Sequence, residues 1–404
     1  MFAAVRHFNK TIWLIILATF ASRFVLFMVW PFLAILLHQK FGLNEFQIGI
    51  FLAGSAAVGV FFGFYVGFLS DIIGRRKIIL AGLAINIISM FILGVADHLW
   101  WLFAGTVIQS FGRGMVESPG RALMTDMVED RQVKDMALHM RYFFLNIGAA
   151  TGPLLGTFAG ATGQQSTFLI VSGLYVVYFV IAAIIFRVER PIKRTKAGTA
   201  MRFGDALGVL RKDQAFMLFV AATLISHIAY GQIDAGLVQY LRQESVLNLT
   251  TLYATLIFVN GATIIIFQFA FLKLLENVRP LVRAMAGVVL FALGFLGFAF
   301  VPTSPTYWLI GAMFVLSIGE TILFPTLNII IDRMAPEHLK GSYVGAASLA
   351  SMGFVTAPVV GGFLLHQFGG FTMWMVMAGL AVSVAGLYGL AANVRTNTKT
   401  QAQH

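Results

Sequence analysis

The sequence predicts an all-α membrane protein with twelve transmembrane helices in two six-helix pseudo-repeats, and three observations carry that expectation. Charged residues make up 11% of the chain and apolar residues 59%, against roughly 25% and 45–50% in soluble domains. No soluble core needs so much apolar surface. Apolar stretches recur along all 404 residues and leave no polar domain between them. One long polar interruption then divides these stretches into six and six, and a Gly/Pro pattern repeats across it.

Runs able to cross a hydrocarbon core of ~30 Å, at about 20 residues each, fall at 11–37, 47–70, 77–96, 99–125, 138–161, 166–187, 214–240, 249–274, 280–301, 305–331, 341–366 and 371–393. Thr11 to Leu37 exceeds the h-region of a signal peptide, about 7–15 residues, and other spans follow it, so it counts as span 1. The interruption carries Arg187, Arg190, Lys193, Arg194, Lys196, Arg202, Arg211 and Lys212 against Glu189, Asp205 and Asp213. It predicts an N-terminal half over 1–187, a basic cytoplasmic linker over 188–213 and a C-terminal half over 214–404.

Loops on the linker's side hold Arg75, Arg76, Lys77, Arg131, Lys134, Lys273, Arg279, Arg333 and Lys340, while the opposite loops offer only Lys40 and Arg242. That asymmetry puts both termini in the cytoplasm. It also removes nucleic acid as the reason for a net charge of +11, because the cations sit in short loops and form neither a stripe nor a basic arm. With no cysteine in the chain, disulfides and thiolate metal sites are excluded.

Gly148, Pro153, Gly156 and Phe158 in span 5 match Gly353, Pro358, Gly361 and Phe363 in span 11 at one constant offset. The register is lost beyond them, since Gly163 falls one residue short of Gly369. Halves repeated in this way are related by an axis along the membrane normal, with a substrate site between them near mid-bilayer.

The loop after span 2 reads Gly67-Phe-Leu-Ser-Asp71-Ile-Ile-Gly74-Arg75-Arg76-Lys77. Gly67 lets helices approach, Asp71 is an anion at the membrane boundary, and a turn at Gly74 brings the arginine pair within its reach. Positive-inside topology alone explains Arg75 to Lys77 but not the glycines and Asp71. The loop resembles the gating loop of the major facilitator superfamily, with Ile72 in place of the usual basic residue. In that family the loop locks the outward-facing state through a relay with an acid at the end of span 4, a place Asp126 fills here.

In span 5, Gly148-Ala-Ala-Thr-Gly152-Pro153-Leu-Leu-Gly156 is similar to the motif of proton-coupled antiporters in that superfamily; read physically, it is a seam for kinking and close packing. The usual span 4 arginine is missing: Thr106 stands there, with Arg113 two turns away. Ser317-Ile-Gly319-Glu320 through Pro325, Lys340-Gly341-Ser342-Tyr343 and Gln232-Ile-Asp234 look like the LmrP branch of multidrug/proton antiporters, and more distantly MdtH-type exporters. The resemblance implies a monomeric carrier in a bacterial inner membrane, with Glu320 and Asp234 tied to proton coupling. Arg141 stands where the LmrP pattern has an acid.

Of the acids, only Glu117, Asp234 and Glu320 fall well inside apolar runs. An ionised side chain there costs about 2.5–3.5 kcal/mol on insertion scales, so each needs a partner, a water-filled cavity or a proton. At 1.5 Å per residue, Arg23, Arg113, His227 and Glu320 each lie roughly 20 Å from the start of their span, which suggests one cavity at mid-depth. Arg113 and Glu117, four apart, share a helix face and read as an ion pair; His227 and Asp234, seven apart, share a face of span 7. Either His227 or the Arg113–Glu117 pair reads equally well as bundle glue.

No P-loop occurs, since Lys340-Gly341-Ser342 has the wrong order, and no nucleophile and base constellation is present. The expected function is therefore not enzymatic and needs neither metal nor cofactor. It is a secondary transporter whose partners are protons, a small-molecule substrate and the bilayer, and whose energy source is a proton gradient. A proton-coupled exporter of lipophilic compounds leads. An anionic metabolite, siderophore or sugar acid is the alternative substrate class, and a sensor or scaffold is disfavoured by the buried charge.

Overall fold

The computed structural model describes residues 2–128, 130–158, 164–188, 213–335, 343 and 346–401. The linker from 189 to 212, Gly163, Lys340 to Ser342 and the side chains of Asp71 and Asp126 lie outside the described residues. The described chain is helical: α1 (Lys10–Val29), α2 (Leu33–Phe41), α3 (Glu45–Ile73), α4 (Arg75–Val95), α5 (Leu99–Asp126), α6 (Arg131–Phe158), α7 (Thr167–Val188), α8 (Gln214–Tyr230), α9 (Gln232–Gln243), α10 (Leu249–Leu274), α11 (Pro280–Phe300), α12 (Tyr307–Met334) and α13 (Met352–Gln401). Helix is the form that pairs every backbone group inside its own segment, which a bilayer demands.

Local chemistry sets the ends. Asn9 caps α1, its side chain accepting from the Ile12 N–H at 2.9 Å, and Asp213 caps α8 by accepting from Phe216. Glycines stop or break helices where φ must be positive: Gly42 (φ 66) after α2, Gly74 (φ 108) between α3 and α4, and Gly369 (φ 79, ψ 175) inside α13. Gly369 divides α13 into two crossings. The pairs α1 with α2 and α8 with α9 each make one crossing, over Lys10–Phe41 and Gln214–Gln243, so the described helices give twelve.

Eight described stretches are long and apolar enough to cross a membrane, Ser348–Val394 holding two crossings in one. Helix α3 enters only through its shorter apolar part, Glu45–Gly59, and α5 and α6 are not among them. These last two each have 28 residues, about 42 Å at 1.5 Å per residue, so what they lack is uniform hydropathy. Arg113, Glu117, Arg121 and Arg141 sit in them.

Two expected boundaries move. Span 5 begins at Arg131 rather than 138, because Asp130 accepts from the Val133 N–H at 3.1 Å and starts the helix early. Span 7 is interrupted at Gly231, where the Ile228 carbonyl accepts from the side-chain amide of Gln232 at 3.1 Å.

The chain packs as two compact units: Met1–Leu43 with Ile50–Ala197, and Asn44–Gly49 with Gly198–His404. Within the first unit α1 lies against α6, and α4 against α5 and α7; within the second, α8 lies against α13, and α11 against α12 and α13. The repeat extends to atoms. A methyl group on Gly148 would meet Phe20 O at 2.5 Å, Phe24 N at 2.9 Å and Arg23 Cβ at 3.2 Å. On Gly353 it would meet Leu224 O, His227 Cβ at 2.7 Å and Ile228 N at 3.1 Å. The same three atom types meet at both sites. Gly82 and Gly287, at the same offset as Gly148 and Gly353, also pack against a neighbouring helix, with Met115 Cβ at 2.6 Å and Gly319 O at 3.0 Å.

These contacts give a stability prediction. Gly148→Ala and Gly353→Ala each force a backbone apart and should cost about 1–3 kcal/mol, whereas Gly173→Ala, with no atom within 4 Å, should be neutral or stabilising by up to about 1 kcal/mol through helix propensity. Thermal melting of the three variants in detergent checks this. Equal melting temperatures would contradict it.

Candidate functional site

In the first unit, α1, α5 and α6 bring three charged side chains to one small cavity of about 20 Å³. Arg23 and Glu117 form an ion pair at 3.0 Å, with side chains 22% and 35% exposed. Arg141 completes the charged lining, beside Thr19, Ser22, Tyr178 and an apolar wall that includes Leu14, Val116 and Phe186. The charge of Glu117 also feels Arg113, Arg141 and Arg121. Sequence spacing pointed to Arg113 as its partner; the ion pair lies across helices, with Arg23. Arg113 is not among the residues lining the cavity.

In the second unit, Glu320 on α12 is buried, 6% exposed. Asn260 on α10 donates to its Oε2 at 2.6 Å and to Ser317 Oγ at 3.0 Å. Tyr230, the last residue of α8, is a second hydrogen-bond partner, and the negative charge of Asp234 acts on the same carboxyl group. Among the described residues Glu320 makes no ion pair. Neither Asn260 nor Tyr230 was foreseen, because they come from other helices and no spacing within span 10 points to them.

His227 and Asp234 do not act as one face. His227 Nδ1 lies 2.9 Å from Ala350 O and its ring stacks on Phe354 at 4.4 Å, while Asp234 is exposed. The interruption at Gly231 comes between them. Gln232 fills it, fully buried, donating to Ile228 O and to Ala357 O at 2.8 Å. Gly361 leaves room for that amide, whose Oε1 would clash with a methyl group there. Around Tyr230 stand Phe324 at 5.0 Å and Phe291 at 5.6 Å, an aromatic wall beside the acid.

At the proposed loop, Gly74 takes a positive φ and Arg76 Nη1 donates to Phe186 O at 3.0 Å, near the C-terminal end of α7 where a cation is favoured. The glycines of span 5 serve close packing: Gly152, like Gly148, faces backbone of α1, at Phe24 O. Pro153 is buried inside α6, and Gly156 is buried with it.

Sequence reading missed one charged cluster. In the second unit Glu45 pairs with Arg242, and its Oε2 lies 3.2 Å from His366 Nδ1. Burial pushes the Glu45 carboxyl up, but its own backbone hydrogen bond, Arg242 and His366 outweigh that and hold it below the usual carboxylate range. Lys40, the other cation on this side of the expected topology, meets Asp97 at 3.0 Å, Gln165 at 2.8 Å and Ala96 O at 2.9 Å.

Two predictions follow the charges. Arg23→Ala should destabilise by about 1–3 kcal/mol through loss of a charged hydrogen bond, and Glu117→Ala added to it should recover much of that loss; strictly additive melting shifts would show that the two do not couple. A carboxyl lowered on folding stabilises fully above its unfolded pKa, and that stability is lost as the pH falls through the folded value. The melting temperature should therefore fall in acid, and less steeply in Glu45→Gln. Parallel acid profiles for variant and wild type would contradict the role of Glu45.

Comparisons with known proteins agree with this architecture. The chain is 28% identical over 358 residues to the MFS-type transporter YqjV of Bacillus subtilis (strain 168), covering 88% of this chain and 87% of that one. It is 22% identical over 387 residues to a Na(+), Li(+), K(+)/H(+) antiporter of Planococcus maritimus, covering 88% and 89%. The crystal structure of the nucleoside transporter NupG superposes with a TM-score of 0.80 at 14% identity, over 95% of this chain and 99% of that one; this likeness is one of fold. Residues 15–352 match the Major Facilitator Superfamily, and the chain, a multi-pass membrane protein and a secondary transporter rather than an enzyme, belongs to that superfamily.

Proposed function

We propose that this transporter is a proton-coupled exporter of small lipophilic compounds that works by alternating access, with Glu320 as the proton-carrying group. The observation that carries the reading is the setting of Glu320: a buried carboxyl group held by Asn260 and Tyr230, with no cation paired to it among the described residues and a second acid near by. An ionised group in such a place is costly, so binding a proton relieves the site and releasing it strains the site, a difference that can be coupled to a change of conformation. Asp234, exposed at the start of α9, is the second protonation site.

The aromatic wall of Phe291, Phe324 and Phe354 around Tyr230 and His227 supports a lipophilic substrate. The antiporter relative and the likeness of span 10 to the LmrP branch support proton exchange. In this reading Asp71, Gly74 and Asp126 gate the outward-facing state, both termini face the cytoplasm of a bacterial cell, and one chain suffices for transport.

The test is purified protein in liposomes with an imposed pH gradient. Glu320→Gln keeps the shape of the side chain but cannot ionise, so gradient-driven transport should drop to background while exchange of substrate without a gradient continues. Wild-type gradient-driven transport by Glu320→Gln would overturn the proposal.

A further inference from the structure

Arg141 is 7% exposed, yet it makes neither an ion pair nor a hydrogen bond with any described residue. Its Nε is fully buried without a partner, and so is the Nε of Arg23 in the same cavity. A guanidinium has five N–H donors and stays charged at any physiological pH, so it cannot escape the cost of burial by losing a proton. A buried charge with no partner is among the costliest arrangements in a protein, and a bilayer raises the cost. Glu117 relieves it only at a distance, without an ion pair. That carboxylate is held by Arg23 at 3.0 Å, and two arginines against one acid leave the lining one positive charge in excess.

We infer that the Arg23–Arg141 cavity of the first unit is an anion site, and that it takes the anionic head group of a lipophilic substrate. This rests on the exporter reading above for the word substrate, but not for the binding. A volume of about 20 Å³ is room for little more than one water-sized group, so in this structure the site admits the charge-bearing atoms and not a whole molecule. Arg141 offers its planar fork of donors, which suits a carboxylate, and the Tyr178 hydroxyl in the same lining is a further donor. Glu117 repels the same anion and sets a ceiling on its affinity, which lets a transporter release what it binds.

The experiment is equilibrium binding to the full-length protein in detergent at fixed pH, without a gradient, with 1-naphthoate, 1-naphthamide and 1-naphthylmethylammonium as probes of one shape and three charges. Naphthoate should bind saturably and at least tenfold more tightly than the other two. Arg141→Gln should weaken naphthoate at least tenfold and leave the amide unchanged, Arg141→Lys should fall between, and Glu117→Gln should tighten naphthoate several-fold. If Arg141→Gln fails to fold, the Glu117→Gln and Arg141→Lys arms decide alone.

Equal binding of the three probes, unaltered naphthoate affinity in Arg141→Lys, or weaker binding in Glu117→Gln would each overturn the inference. So would sodium chloride or phosphate binding as tightly as naphthoate, which would mark a site for free inorganic anions. Glu320→Gln separates the two readings. Naphthoate bound normally by that variant supports this inference whatever happens to proton coupling, whereas Glu320-dependent export of the ammonium compound without naphthoate binding would overturn this inference and leave the exporter standing.

Discussion

An ionised side chain inside a bilayer has to be compensated, and each unit of this transporter is arranged around that constraint. The first unit compensates an acid in excess: Glu117 has Arg23 in contact and the charges of three further arginines within reach. The second unit surrounds Glu320 with neutral donors and adds another acid. Opposite solutions to one cost leave opposite surpluses, a cation without an anion in one unit and an acid without a cation in the other. In the proposed mechanism, each surplus is where an arriving particle, an anion or a proton, lowers the energy.

Such charges can be held only by helices that do not yield, and the packing supplies this. Helices α1 and α6 approach until Gly148 and Gly152 touch the backbone of α1, and α8 and α13 do the same at Gly353. Interfaces of small residues are the usual means of association in lipid, where no hydrophobic force separates protein from solvent. Arg23 leaves α1 at the level of Gly148, so the glycine that closes the seam also fixes the base of the side chain that meets Glu117. Pro153 and Pro358 lie a little over one turn further along their helices, and Pro358 packs against Gly49 of α3.

Most of the fold was legible in the sequence, because the bilayer turns composition into geometry: about twenty apolar residues cross it and a glycine offset reveals the repeat. The site was legible only in part. Arg23, Glu117 and Glu320 stand out because charge in an apolar run is costly wherever the helix lies. Their partners do not. Asn260 and Tyr230 are ordinary residues of other helices, and the pairing of Glu117 with Arg23 depends on which faces meet across α1 and α5, so helical spacing favoured the local neighbour, Arg113. The interruption at Gly231 was hidden because Gln232, not a proline or a run of polar residues, satisfies the freed carbonyl. Glu45 and His366 were passed over as boundary residues, since nothing in their own segments marks them as a pair.

The repeat itself shows how the two units came to differ. Arg23 and His227 occupy matching places, each with its Cβ against a repeated glycine, between residues whose O and N atoms meet that glycine in the same order. The scaffold therefore imposes one geometry on both positions. At one of them a guanidinium reaches across to an acid on α5; at the other an imidazole is held by Ala350 O and stacked on Phe354. Backbone packing has stayed constant while the side chain that leaves it has changed from a fixed cation to an aromatic group, so the seam is what a shared architecture requires and the side chain is where the chemistry of each unit is decided.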